Sequence, residues 1–135
     1  MAAVLVDSNV LLDLFTEDQQ WLAWSSTTIA EAAEHSRLVI NPIVYAEISV
    51  RYSSIEDLNA AIPTTLFDRE PIPYEAAYLA GKAFSIYRRR GGKKRSTLPD
   101  FFIGAHASVA GYSLLTRDAT RYRTYFPRLA LIAPE

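Results

Sequence analysis

The stretch Val4-Leu5-Val6-Asp7-Ser8-Asn9-Val10-Leu11-Leu12-Asp13-Leu14 decides how the rest of the chain is read. An apolar run ends in an acid, a hydroxyl and an amide, and a second apolar run follows. The pattern predicts a short buried strand over residues 3–6 that passes through a turn into a helix. Ser8 is the expected cap of that helix, which runs through Phe15. Asp7 then stands at the rim of a sheet, where open α/β folds place their ligands.

Further segments repeat the same alternation. A helix is expected from Glu17 to His35, then a strand over Arg37-Leu38-Val39-Ile40. Asn41-Pro42 starts the next helix, with Asn as cap and Pro in the first turn, and this helix reaches Tyr52. A shorter helix runs from Ile55 to Ile62, stopped by Pro63, and a strand is expected over Thr64 to Phe67. The spacing of Ala76, Leu79, Ala83 and Tyr87 predicts a long helix from Tyr74 to Arg90, ended by Gly91-Gly92. Pro99 opens another, with Gly104, Ala107 and Gly111 as a small-residue face. Strands over Ser113–Thr116 and Leu129–Ile132 flank a short turn or helix carrying Tyr122 and Tyr125. Strands alternating with helices imply βαβ units, a mostly parallel central sheet and right-handed crossovers.

The 135 residues suit one domain with a proper core. With no cysteine there is no disulfide framework and no thiolate chemistry, which favours a reducing compartment. No signal-like N-terminus and no apolar stretch of membrane-spanning length is evident, so a cytoplasmic protein without membrane association is expected. The net charge of −1 hides an asymmetry. Residues 1–81 hold 3 Lys/Arg against 12 Asp/Glu, and residues 82–135 hold 11 against 3. Such a division suits an anionic partner on one surface, and equally suits two halves that neutralise each other.

Parallel topology brings separate acids to one edge. Asp7 follows the first strand, and Glu47 lies in the second turn of the helix after the second strand. Asp100 sits in the first turn of the Pro99 helix, and Asp118 lies just past the strand 113–116. Singly, Asp7 and Asp118 also read as turn residues and Asp100 as an acid favoured by a helix dipole. Glu47 resists such a reading, because Ile43, Val44, Tyr45, Ala46, Ile48 and Val50 surround it. A carboxylate in that setting is costly unless paired or bound to a cation. Two carboxylates about 4 Å apart repel by about 4 kcal/mol at an effective dielectric of 20. Four of them together call for a divalent cation, protonation or basic neighbours. All-oxygen ligands point to Mg²⁺ or Mn²⁺, and His35 and His106 read as isolated surface or packed histidines.

Asp7-Ser8-Asn9 after an apolar strand, Glu47 in Tyr-Ala-Glu-Ile, Asp100 in Leu-Pro-Asp-Phe-Phe-Ile-Gly-Ala-His-Ala, and Asp118 in Leu-Leu-Thr-Arg-Asp together resemble the PIN-domain ribonucleases. Length and order resemble the VapC-type toxins of toxin–antitoxin (VapBC) modules. The resemblance covers nearly the whole chain. It implies a single PIN domain with three α/β/α layers and an Mg²⁺-dependent endoribonuclease site. Asp7, Glu47, Asp100 and Asp118 would then hold the metal directly or through water, with Asn9 and Thr116 orienting ligands. It also implies a homodimer, and a small VapB-type antitoxin that inhibits the enzyme and itself binds DNA. The expected reaction is in-line attack by metal-activated water on an RNA phosphodiester, leaving a 5′-phosphate and a 3′-hydroxyl.

Arg88-Arg89-Arg90-Gly91-Gly92-Lys93-Lys94-Arg95 places six cations in eight residues upstream of Asp100. Arg90, Lys93, Lys94, Arg95 and Arg117 are the expected RNA contacts, with Arg121 and Arg123 extending the track. The competing view is a solvated loop after a helix end that favours cations. Trp21 and Trp24, three apart on one helix face, read as core packing ahead of a partner groove. Two other functions compete with the nuclease. A haloacid-dehalogenase-like phosphatase also puts an acid after its first strand, but would need a second acid where Asn9 stands. A PIN-like module could hold RNA without cutting it and without a toxin role.

Overall fold

The computed structural model describes residues 2–92 and 98–134. Strand β1 (Ala2–Val6) leads into α1 (Ser8–Phe15) and α2 (Leu22–His35), then β2 (Ser36–Ile40), α3 (Pro42–Ser49) and α4 (Ile55–Ala61). Strand β3 (Phe67–Arg69) is followed by α5 (Tyr74–Arg89), α6 (Leu98–Ala110), β4 (Ser113–Leu115), α7 (Thr120–Tyr125) and β5 (Leu131–Ile132). Among the described residues these strands form one sheet in the order β3-β2-β1-β4-β5, with every pairing parallel.

Strands covered on both faces are continuously apolar rather than alternating, and that is how Val4-Leu5-Val6, Leu38-Val39-Ile40 and Leu114-Leu115 read. Leu5, Val6, Val39, Leu114 and Leu115 are fully buried. Each such side chain contributes about 1.5–3 kcal/mol on leaving water. Right-handed crossovers then carry α1 and α2 over one face, and α5 and α6 over the other, because β4 returns on the opposite side of β1. The result is the expected three-layer α/β/α arrangement. No described helix is long and apolar enough to cross a membrane.

The chain order reverses at β1. From β1 it moves outward through β2 to β3, then returns to β4 on the other side. The crevice above the carboxyl ends of β1 and β4 is therefore the switch point, where such sheets bind ligands. Asp7 leaves β1 there, its backbone N–H bonded to Leu115 O at 2.9 Å, and Thr116 leaves β4 beside it.

Several boundaries differ from expectation for local reasons. Asp7, not Ser8, occupies the N-cap position of α1, and Ser8 is the first helical residue. Helix α2 starts at Leu22 rather than Glu17. Glu17 has a left-handed backbone (φ 50°), and Asp18 Oδ1 takes the N–H groups of Gln20 and Trp21 in a turn. Asn41 caps α3 as expected, accepting from Val44 N at 3.0 Å, but that helix ends at Ser49. The third strand begins only at Phe67, because Leu66 and Phe67 turn back to bond Pro63 O. Gly111 serves its left-handed turn (φ +74°) with open space around it, whereas Gly104 provides the close approach expected of small residues.

Candidate functional site

The Asp7 carboxylate is almost wholly buried, at 3 % exposure. Its Oδ2 accepts from Thr116 Oγ1 at 2.9 Å, from Tyr122 OH at 3.0 Å and from Asn9 Nδ2 at 3.5 Å. Thr116 Oγ1 in turn accepts from Asn9 Nδ2 at 3.3 Å and from the backbone N–H of Asp118 at 3.1 Å. Asn9 Oδ1 takes the backbone N–H of Arg117 at 3.3 Å. Asn9 and Thr116 thus tie the starts of the two segments that leave β1 and β4. On the other side Ser8 Oγ donates to Glu47 Oε1 at 2.7 Å, bringing α3 to the same crevice. Ser8 is a link between elements rather than a cap.

The third acid arrives from α6. Asp100 Oδ2 accepts from Arg121 Nη1 at 2.5 Å, so α7 supplies the one cation paired with these carboxylates among the described residues. Burial pushes the Asp7 carboxyl up, the charge of Glu47 pushes it further, and the hydroxyls of Thr116 and Tyr122 oppose the rise. Burial also raises Glu47, with Ser8 opposing and the charge of Asp100 adding. Asp100 is pushed up to about 6, chiefly by burial, then by the charge of Asp7, with Arg121 pulling down and Asp118 adding a little. The Tyr122 phenol is held well above its ordinary range by burial and by the acids around it, so it stays a donor. Three carboxylates from three elements therefore feel one another's charge at the switch point.

Asp118 is exposed and reaches the group only through its charge on Asp100 and its backbone bond to Thr116. Arg117 turns away from the acids. Its Nε and Nη2 donate to Asp13 Oδ2 and Oδ1 at 2.8 and 3.0 Å, and its guanidinium lies 5.5 Å from the Trp21 ring centroid. Arg90 is exposed and lies 5.7 Å from the Tyr125 ring centroid, near the site's α7 wall. Lys93, Lys94 and Arg95 fall outside the described residues. His35 is exposed and His106 is packed, its Nδ1 3.1 Å from Asn41 Nδ2. Trp24 packs partly against the core, with Trp21 edge-on to it at 6.1 Å.

Among the described residues no three carboxylate or imidazole side chains form a ready-made cage for a metal ion. The reason is visible in the partners: Ser8 engages Glu47, Arg121 engages Asp100, and hydroxyls engage Asp7. The donor set nevertheless fits a hard divalent cation. It is all oxygen, and its members raise one another's proton affinity, which is the strain a cation would relieve.

That strain has a measurable sign. A carboxyl whose folded value lies above its unfolded one favours the fold below the unfolded value, and this contribution is lost as pH rises through the folded one. For Asp100 the loss runs from the ordinary aspartate value of 3.8 to about 6. At a fixed divalent-cation concentration, stabilisation is accordingly expected to be smaller near pH 5 than near pH 7. Apparent cation affinity should rise by about tenfold per pH unit for each proton displaced below the folded value, and level off above it. Thermal midpoints with and without Mg²⁺ across that interval measure it; a cation shift as large at pH 5 as at pH 7 would contradict the assignment.

The sequence alone does not single out Tyr122 as part of the site. Its signal is its place four residues after Asp118, on the turn of α7 that also points Phe126 inward. A Cβ at Gly104 would lie 2.6 Å from the Phe126 ring and 3.0 Å from that of Tyr122, so the glycine lets both rings approach α6.

Residues 4–127 of the chain match the PIN domain family. A comparison with curated proteins by sequence finds no match. Among solved structures, VapBC-1 from nontypeable Haemophilus influenzae is similar at 19 % identity and a TM-score of 0.73, covering 97 % of both chains. VapBC2 from Rickettsia felis, bound to a DNA fragment from its promoter, is similar at 15 % identity and a TM-score of 0.72, covering 97 % of this chain and 98 % of that one. The DNA-bound VapBC of Salmonella typhimurium is similar at 16 % identity and 0.68, covering 98 % of each.

Proposed function

The chain belongs to the PIN domain family, and from that premise we propose that it is an Mg²⁺-dependent endoribonuclease acting as the toxin of a toxin–antitoxin pair. The observation that carries this reading is the convergence of Asp7, Glu47 and Asp100, from three elements, at the switch point of a parallel sheet, where each is made harder to ionise by the charge of another. A phosphodiester would add negative charge beside carboxylates that already resist ionising, so a divalent cation between them is what would let such a site hold and cleave RNA. The likeness to VapBC structures supports the toxin role and an antitoxin partner; with that role goes a VapB-type antitoxin that makes the DNA contact, and a homodimer of this chain.

Asp7, Glu47, Asp100 and Asp118 would hold the cation. When bound, Mg²⁺ or Mn²⁺ would supply positive charge to the phosphate and lower the proton affinity of an attacking water. The chain's own residues do the rest. Asn9 and Thr116 orient Asp7, and Ser8 aims Glu47 across the crevice. Arg121 holds Asp100 in place, and its guanidinium would also be at hand for an RNA phosphate bound at these acids. Arg90, Lys93, Lys94 and Arg95 would grip flanking phosphates. Arg117 is better assigned to its pair with Asp13 than to RNA. The PIN domain match sets the phosphatase alternative aside.

Cellular RNA incubated with the purified protein in Mg²⁺ or in EDTA tests the proposal. Discrete cleavage with 5′-phosphate ends in Mg²⁺, absent in EDTA, is the expected result. RNA that is bound but uncut under both conditions would favour the binding module instead.

A further inference from the structure

The two oxygens of the Asp7 carboxylate have unequal surroundings. An sp² oxygen offers two lone pairs, and at Oδ2 the hydroxyls of Thr116 and Tyr122 take them at 2.9 and 3.0 Å, with the Asn9 amide farther off at 3.5 Å. Oδ1 faces Ser8 Oγ at 3.4 Å, but that hydroxyl has one proton and its short bond, 2.7 Å, goes to Glu47. The backbone N–H of Ser8 also donates to this carboxylate, but among the described side chains none makes a short bond to Oδ1, so Oδ1 keeps acceptor capacity on the side where Glu47 stands. Tyr122 is placed rigidly enough to enforce this. It is 2 % exposed, and it sits with Phe126 against the bare backbone of Gly104.

We propose that Tyr122 is a positioning residue that, together with Thr116, holds Oδ2 of Asp7 and so offers a cation a single oxygen, selecting Mg²⁺ over Ca²⁺. The selection follows from coordination chemistry. Mg²⁺ demands a near-octahedral shell, which single carboxylate oxygens and waters satisfy, whereas Ca²⁺ accepts more ligands and takes carboxylates through both oxygens. With the phenol gone, Oδ2 keeps only Thr116 as a short donor beside the distant Asn9 amide, and Asp7 would be free to turn both oxygens toward the larger ion. The inference rests on the cation site proposed above.

The test is calorimetric titration of Mg²⁺ and, separately, of Ca²⁺ into wild-type, Tyr122→Phe and Thr116→Val proteins, with circular dichroism melts to confirm folding. In Tyr122→Phe, affinity for Mg²⁺ should fall about tenfold, as when an outer-shell partner of a metal ligand is lost. Affinity for Ca²⁺ should hold within about twofold or rise, because the freed oxygen compensates. Thr116→Val carries the same expectation and decides the matter if Tyr122→Phe does not fold. An equal fall for both ions, or no change in either, overturns the proposal, since a merely structural tyrosine would not alter their ratio. A wild-type protein that binds neither ion overturns the cation site itself, so the two failures are told apart.

Discussion

On the proposed nuclease function, Asp7→Asn is expected to lower RNA cleavage by about a hundredfold or more while leaving the fold intact, because it would remove a charged ligand from the centre of a metal-assisted reaction. The substitution keeps the volume, and the amide oxygen can still accept from Thr116 and Tyr122. That orientation, fixed by two hydroxyl donors, turns the amide NH₂ toward Glu47, where the native Oδ1 stands. A donor then occupies the place of a cation ligand. Stability should not suffer. The native carboxyl is held above its ordinary range mainly by burial, so at neutral pH its charge is a cost that a neutral side chain avoids. The cation-free variant should therefore melt at or above the wild-type midpoint, and its midpoint should no longer respond to Mg²⁺. Cleavage assays and paired melts measure both. A folded variant that cuts at the wild-type rate would remove Asp7 from the mechanism.

The parts legible in the sequence were those whose cause is local. Val4-Leu5-Val6 and Leu38-Val39-Ile40 announce buried parallel strands by composition alone, and Asn41-Pro42 marks the start of α3 by cap chemistry. Given parallel strands, the edge shared by Asp7, Glu47, Asp100 and Asp118 follows from topology. The parts not legible depend on partners far away in the chain. Ser8 has the chemistry of a cap, and its bond to Glu47, 39 residues on, decides otherwise. Tyr122 is one of 8 tyrosines until α7 folds over Asp7, 115 positions earlier. Gly104 reads as a place for close packing, but nothing local says that Phe126 fills it. Arg117 is ambiguous for the same reason, since a guanidinium beside an acidic site reads as a phosphate contact until Asp13 is found beneath it.

Arg117→Ala is expected to destabilise the protein by about 3 kcal/mol, the lower part of the range for stranding one partner of a buried ion pair. Asp13 is 2 % exposed and Arg117 30 %, so the carboxylate bears most of the desolvation. It accepts two bonds from Arg117 and one, at 2.8 Å, from Ser25 Oγ, joining α1, α2 and the segment after β4. Without the guanidinium, Ser25 alone faces a buried charge, and the Trp21 ring loses the cation lying over it. For a chain of this length the thermal midpoint should drop by about 10 °C. Asp13→Asn in the Arg117→Ala background should recover part of that loss, because the stranded charge is gone while the bond to Ser25 can remain. A double-mutant cycle over the two positions then isolates the coupling. The same variant separates the pair from an RNA role. A phosphate contact would leave the midpoint alone and make the salt dependence of RNA binding shallower by about 0.7 in log–log slope. A lowered midpoint with an unchanged slope assigns Arg117 to the fold. An unchanged midpoint with a shallower slope returns it to the RNA track with Arg90 and Lys93.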